Sequence, residues 1–320
     1  MKCWLPAVLL GLGVLGLSVH AETFPSRPVT MIVPFPPGAS TDTLSRLIAD
    51  ELKNELGQSV IVENRPGATG LIGVQALSRA ARDGYTIGLG NEATHVTGPL
   101  MKAQMPFDPL GDFTPLTVAI RTTMAIAVNP AAVPANTLEE LIEYAKREPK
   151  GVSFGTPGMG SPQHLIGEML RLRSGGNFVH VPYTGSSPAI NDLVAGHIPM
   201  TVTTLPALLP HLDRIKILAI GDAERLPDMP DVPTVSETLP DFIVRGWSGY
   251  FGPAGLEPEV VGQLSRALVK ALHNERIIQA IRDQGLEPAG SAPEDLAALI
   301  ASGVKQWTPV IEQAHLPKQN

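Results

Sequence analysis

Residues 29–57 read VTMIVPFPPGASTDTLSRLIADELKNELG, and this stretch decides the fold class. Val29, Met31, Ile32 and Val33 make a short, nearly continuous apolar run of strand type. Residues 34–41 are rich in Pro, Gly, Ser and Thr and form a loop. Leu44, Leu47, Ile48, Leu52 and Leu56 then recur at helical spacing until Gly57 stops the helix. A strand therefore feeds a helix through a polar loop. Working outward, residues 60–62 repeat the strand, 65–70 the loop and 71–81 the helix, and residues 85–89 return as a third strand. Such alternation argues for an α/β fold with a parallel sheet and helices on its faces. The β-rich run 117–129, broken at residues 121–123, reads as a crossover into a second domain.

That second domain repeats the scheme. Thr137 and Glu140 form a capping-box pair ahead of Leu138, Leu141 and Ile142. Residues 152–154 are a strand, 155–160 a loop, and Ser161-Pro162 the N-cap and first turn of the next helix. Residues 178–181 are again a strand and 182–187 a loop, with Pro188 at the expected helix start. Residues 215–220 add a strand, and 243–251 read as the strand that returns to the first domain. Two amphipathic helices, 258–274 and 293–314, close the chain.

Length and composition bound the function. The chain has 320 residues, 31 acidic against 24 basic, and a formal charge of −7. No Lys/Arg run supplies the positive field that phosphate backbones require, so nucleic acid is not an expected partner. Met1-Lys2, the apolar run 4–18 and Val19-His20-Ala21 have the form of a signal peptide, with cleavage expected after Ala21. The run is too short to span a membrane convincingly, and no second one follows. The only cysteine, Cys3, lies inside that segment, so the mature chain has no thiol for disulfides, Cys-zinc sites or a cysteine nucleophile.

The chemistry is expected at the loop-to-helix joints. Loops 34–42, 155–161 and 183–187 each follow the carboxyl end of a strand, where open α/β sheets bind ligands. Each also opens a helix whose first N–H groups lack backbone partners and carry roughly half a positive charge, enough to hold a carboxylate. Gly38, Gly155, Gly158, Gly160 and Gly185 allow close backbone approach, while Ser40, Thr41, Thr156, Ser161, Thr184 and Ser186 add hydroxyls. None of the three loops contains a basic residue. A phosphate-loop reading of 155–161 fails, since the required Lys before Ser161 is absent and Pro157 removes a donor. The Gly-x-Ser-x-Gly elbow of a hydrolase is also absent around Ser161, which leaves a triad with His164 and Asp192 as a remote alternative. The scattered histidines show no helical metal-ligand spacing, and no metal or cofactor is expected.

Three longer motifs carry a family likeness. VPFPPGASTD at 33–42, VENRPGATG at 62–70 and DGYT at 83–86 resemble the solute-binding receptors of tripartite tricarboxylate transporters, the Bug family or TctC-like receptors. The likeness continues through residues 155–164, VPYTG at 181–185, DLVAG at 192–196 and PDVPTV at 230–235. It implies a two-lobed periplasmic binding protein of type II, a Venus flytrap with two hinge crossings. Expected lobes are 22–122 plus 249–320, and 123–248, after the signal segment 1–21. The resemblance further implies a periplasmic, monomeric, non-enzymatic receptor that closes on a small organic acid and delivers it to membrane subunits encoded elsewhere. A sensor feeding a receptor kinase is the alternative on the same fold.

Carried onto this chain, the ligand-binding set is Phe35, Pro37, Gly38, Ala39, Ser40, Thr41, Asp42, Thr69, Gly70, Asn91, Thr94, Thr156, Gly160, Ser161, His164, Tyr183, Gly185 and Ser186. Asp42, in the first turn of its helix, is better explained as a structural partner of the helix dipole than as a contact for a ligand amine. Arg65 is expected to pair with Glu63, and Trp247 to serve as core or pocket wall. Two departures from the family pattern stand out. Ala39 replaces the second Gly of a Pro-Gly-Gly loop, and residues 197–200, beginning with His197, take the place of an acidic residue after Gly196.

Overall fold

The computed structural model describes residues 24–38 and 40–319. The expected signal segment with its cleavage point, and the candidate site residue Ala39, lie outside the described residues. The first half of the chain contains β1 (Val29–Val33), α1 (Ser40–Leu56), β2 (Val60–Asn64), α2 (Leu71–Ser78), β3 (Thr86–Asn91), α3 (Gly98–Met101), β4 (Phe113–Val128) and α4 (Leu138–Arg147). A 3-10 turn, Ala68–Gly70, precedes α2, and a π turn, Ala93–Thr97, precedes α3. There follow β5 (Val152–Thr156), α5 (Pro162–Ser174), β6 (Phe178–Pro182), α6 (Ser186–Ala195), β7 (Met200–Thr204), α7 (Leu205–Leu208) and β8 (Lys216–Ile220). The chain ends through α8 (Val235–Thr238), β9 (Arg245–Pro253), α9 (Pro258–Leu272), α10 (Glu275–Arg282), β10 (Glu287–Pro288) and α11 (Pro293–Gln313). Among the described residues no helix is long and apolar enough to cross a membrane.

The strands run in the order β2-β1-β3-β9-β4-β7-β5-β6, with β8 and β10 also paired to β4. Pairs β1–β2, β1–β3, β5–β6 and β5–β7 are parallel, as the strand–helix alternation predicts. Strand β4 joins the two halves. Its residues 113–123 pair antiparallel with β9, and its residues 124–128 pair with β7 and β8. The expected break at residues 121–123 does not occur, because Arg121, Thr122 and Thr123 stay in register with Trp247, Gly246 and Arg245. Thr is β-branched and fits a pleated ladder, so local polarity was a poor break signal. At this junction Arg245 Nε lies 2.6 Å from Asp222 Oδ1, and its guanidinium also meets the Glu287 carboxylate.

Several expected boundaries shift. The helix expected from Pro188 begins at Ser186, the returning strand runs Arg245–Pro253, and the helix expected over 258–274 ends at Leu272. A separate helix, α10, follows, with the Asn274 side chain accepting from Arg276 N as its cap. Strand β7 was not foreseen, because Thr201, Thr203 and Thr204 dilute its apolar signal although Thr201 is fully buried.

Helix α11 packs into the largest core. Leu296, Ile300, Trp307, Val310 and Ile311 join Ile32, Val96 and Met101 from the first half and Phe154, Leu165 and Leu170 from the second. Each such side chain contributes about 1.5–3 kcal/mol when removed from water. One helix at the end of the chain therefore seals the two halves on one side of the sheet. A second core gathers α1, α9 and α10 around β1 and β3.

Candidate functional site

On the first half, the β1–α1 loop is built around one carboxylate. Asp42 is buried in the first turn of α1. Its Oδ2 accepts from Gly38 N at 2.8 Å and Arg46 Nε at 3.1 Å, and its Oδ1 accepts from Asn64 Nδ2 at 2.8 Å. Asn64 Nδ2 also donates to Phe35 O at 3.1 Å, so the end of β2 ties down the loop before α1. The Arg46 hydrogen bond, helped by Gly38 and Asn64, holds the Asp42 carboxyl down at about 2 against the opposing effect of burial. Asp42 thus shapes the loop.

The next turn on this half is strained. Ala68 and Thr69 have φ of +46° and +55°, a region that non-glycine residues rarely occupy and β-branched ones least of all. Strain of this kind clusters at ligand sites. Gly70 follows at φ +96°, and a Cβ there would lie 3.0 Å from Thr94 Cγ2 and 3.6 Å from Phe35 Cε1. Gly70, Thr94 and Phe35 are therefore gathered at one place with the adjoining Thr69, while Pro37 and Gly38, further along the loop from Phe35, are exposed. Asn91 and Thr94 form a reciprocal pair, Thr94 N donating to Asn91 Oδ1 at 3.1 Å and Asn91 N to Thr94 Oγ1 at 3.0 Å. Thr94 is fully buried, and the expected loop after β3 is a π turn.

On the second half, the β5–α5 loop is built from neutral groups. Ser161 is the N-cap of α5, its Oγ accepting from His164 N at 3.2 Å and donating to Gly158 O at 2.7 Å. His164 lies beneath the loop, with Nδ1 accepting from Gly160 N at 3.1 Å. Its ring stacks on His180 at 3.8 Å, and His180 Nε2 meets Thr156 Oγ1 at 2.6 Å. Burial pushes His164 down to about 3, with His180 adding to it, and burial alone pushes His180 down to about 4. Both rings are neutral at pH 7. Tyr183 N donates to Thr156 O at 3.0 Å, which fixes the β6–α6 loop beside this one. The Tyr183 hydroxyl donates to Asp192 Oδ2 at 2.7 Å, and its pKa rises to about 12 through burial and that carboxylate. His197 reaches the other oxygen of Asp192 at 3.2 Å, so this departure from the family pattern braces the same loop.

The two halves meet at a cleft of about 310 Å³, a size suited to a small molecule. Thr69 of the strained turn, Gly160 and Ser161 line it together. Gly185 and Ser186 are half-buried at the start of α6, and Thr41 is half-buried in the first turn of α1. Asp42, Thr94, Thr156 and His164 are buried in the networks that hold the loops. Trp247 belongs to the core, and Arg65 Nε pairs with Glu63 Oε1 at 2.7 Å on the surface. Lys102, Met101, Met159 and Gln319 also line the cleft and were not singled out from sequence. Gln319 is 160 positions from Met159, whose carbonyl it touches, so no local pattern signals it.

Comparisons with known proteins bear on this geometry. Residues 44–316 match the model of the tripartite tricarboxylate transporter family receptor. The chain belongs to this family. It is 34% identical over 299 residues to the protein BugT of Bordetella pertussis, covering 92% of this chain and 91% of that one. The solved structure of R. palustris Rpa4515 with adipate superposes with a TM-score of 0.79 at 33% identity, covering 92% of this receptor and 99% of that chain. MatC from Rhodopseudomonas palustris with bound malate gives a TM-score of 0.75 at 31% identity, covering 90% of this receptor and 100% of that chain. This receptor therefore has the α/β periplasmic-binding-protein fold and is a solute-binding protein.

Proposed function

We propose that this receptor captures a small dicarboxylate in the cleft between its two halves and passes it to a tripartite tricarboxylate-type membrane transporter. The observation that supports the reading most strongly is the pairing of the strained Thr69 turn with the neutral Gly160–Ser161 helix start across one cleft. A helix N-terminus holds an anion by its free N–H groups and dipole, and here neutral histidines support the loop. Adipate and malate, the acids carried by the two related structures, set the size class. The lobes follow the division expected from the sequence, with hinges where β4 passes from one half to the other and where the chain enters β9. Donors from both lobes reach one acid only in the closed form, so the acid shifts the population toward closure.

Titration calorimetry of the mature protein with adipate, malate, a monocarboxylate and a diamine tests this reading. Saturable binding of a dicarboxylate, weakened by Gly185→Val, is expected. A Cβ at Gly185 meets only Pro188 Cδ at 4.0 Å, so the branch point of the new side chain finds open space. Binding of the diamine in preference to every acid would sink the proposal.

A further inference from the structure

Beyond α11, residues 316–319 stay against the rest of the molecule. Leu316 N bonds to Ile311 O at 3.1 Å, and the Leu316 side chain packs on the largest core. Residues 317–319 then run alongside the end of α3. Gln319 N donates to Met101 O at 2.7 Å and Ala103 N donates to Gln319 O at 2.9 Å, a parallel pairing opposite Lys102. From that anchored backbone the Gln319 side chain crosses the cleft, and its Nε2 donates to Met159 O at 3.0 Å. Met159 is in the β5–α5 loop, between Gly158, which takes the Ser161 hydroxyl, and Gly160, whose N–H is held by His164. Gly160 sits at φ +77°, and a Cβ there would come 3.3 Å from Gln319 Nε2 and from Met101 Cβ. A side chain at position 160 would occupy the space in which the strap and the loop meet.

We infer that residues 316–319 are a clasp between the two halves, and that Gln319 is a positioning residue for ligand capture. It rests on the proposed function only where ligand affinity is concerned. The strap is fixed to the first half by two backbone hydrogen bonds and to the second by one side-chain hydrogen bond. The side-chain bond is the member that can release when the halves separate. Because the Gln319 amide lines the same cleft as Thr69 and Ser161, a clasped loop is already in place when the acid arrives. Affinity for a ligand that needs the clasped form scales with the fraction of molecules that hold it.

Two measurements on the mature protein test the clasp. The first needs no ligand. Hydrogen exchange across residues 157–161, and the distance between spin labels at Ile61→Cys and Val179→Cys, are compared with and without Gln319→Ala. Both label sites are exposed and lie on opposite halves. The expected result is faster exchange in the loop and a distance distribution shifted or broadened by the substitution. Identical exchange and identical distances would overturn the clasp whatever the protein binds. The second measurement is adipate affinity. Loss of one hydrogen bond predicts about a two- to tenfold weaker Kd for Gln319→Ala, with Gln319→Glu at least as weak because a carboxylate faces the Met159 carbonyl. Lys305→Ala, on the exposed side of α11, is the control and keeps wild-type affinity. Altered exchange with unchanged affinity would remove the ligand-positioning role. If the wild-type protein binds no dicarboxylate, the proposed function fails while the exchange and distance results still judge the clasp. A role confined to general stability would lower Tm without moving the loop or the distance distribution, and that too would overturn the inference.

Discussion

The β1–α1 loop and the β5–α5 loop occupy equivalent places, each between a parallel strand and a helix, yet they are held by opposite means. The first is organised by an ionised carboxylate, Asp42, locked by Arg46, Asn64 and the Gly38 N–H. The second is organised by Ser161 and by two neutral histidines stacked at 3.8 Å. An Asp at a helix start already balances part of the dipole there, whereas a neutral cap leaves it available for an incoming anion. The difference teaches that a loop of the same form can be organised around a charge or around neutral groups, and on the proposed function the second loop is the one left to meet a ligand carboxylate.

The comparison can be broken most strongly at Asp42. Asp42→Ala is expected to cost about 2–3 kcal/mol at pH 7, from the depression of its carboxyl to about 2 against an ordinary value of 3.8. Urea unfolding measures this. A depressed carboxyl contributes stability that is complete above about pH 4 and lost as pH falls toward 2, so wild type and variant converge there. A gap that persists undiminished at pH 2 means that packing, and not charge, holds the first loop.

The second loop fails in a different pH window. His164 titrates near 6.5 in an unfolded chain and near 3 in the folded one. The unfolded state therefore takes up a proton first as pH falls, and the contribution is complete above about 6.5 and lost toward 3. Between pH 7 and 5 the expected loss from His164 alone is about 2 kcal/mol. His164→Gln removes that share of the slope, and the midpoints of urea melts at the two pH values show it. An unchanged slope in the variant means that His164 is not the group responsible.

Smaller effects sharpen the contrast. Ser161→Ala removes the N-cap of α5 and is expected to cost about 1 kcal/mol, together with weaker dicarboxylate binding, read by chemical melts and calorimetry. If affinity stays at the wild-type value, the ligand does not use this helix start. Tyr183→Phe removes only the 2.7 Å bond to Asp192, which His197 also braces. About 0.5 kcal/mol is expected for such a bond at a half-exposed site. A loss several times larger would show that the β6–α6 loop depends on that single hydroxyl.

Much of this was legible in the sequence because it is local. The strand–loop–helix units, the Ser161 cap, the Thr137 cap and the Arg65–Glu63 pair all depend on residues within a few positions of one another, where backbone geometry fixes which side chains meet. The glycine-rich loops at strand ends marked the candidate site for the same reason. Strand β4 was misread as broken because register along an antiparallel ladder is set by the partner, here β9, more than 120 positions away.

By itself, then, the sequence determined the α/β alternation, the lack of basic residues in the three candidate loops and the family to which the receptor belongs. Tertiary structure alone decided which of those loop residues face a cleft and which are buried beneath it, since burial depends on what packs above a residue. Asp42, Thr156 and His164, candidate ligand contacts in the motif, are buried and hydrogen-bonded within the loops they hold. Gln319 carries no signal in the sequence and crosses the cleft, because its partner Met159 lies 160 positions away and α11 packs into the core shared by both halves.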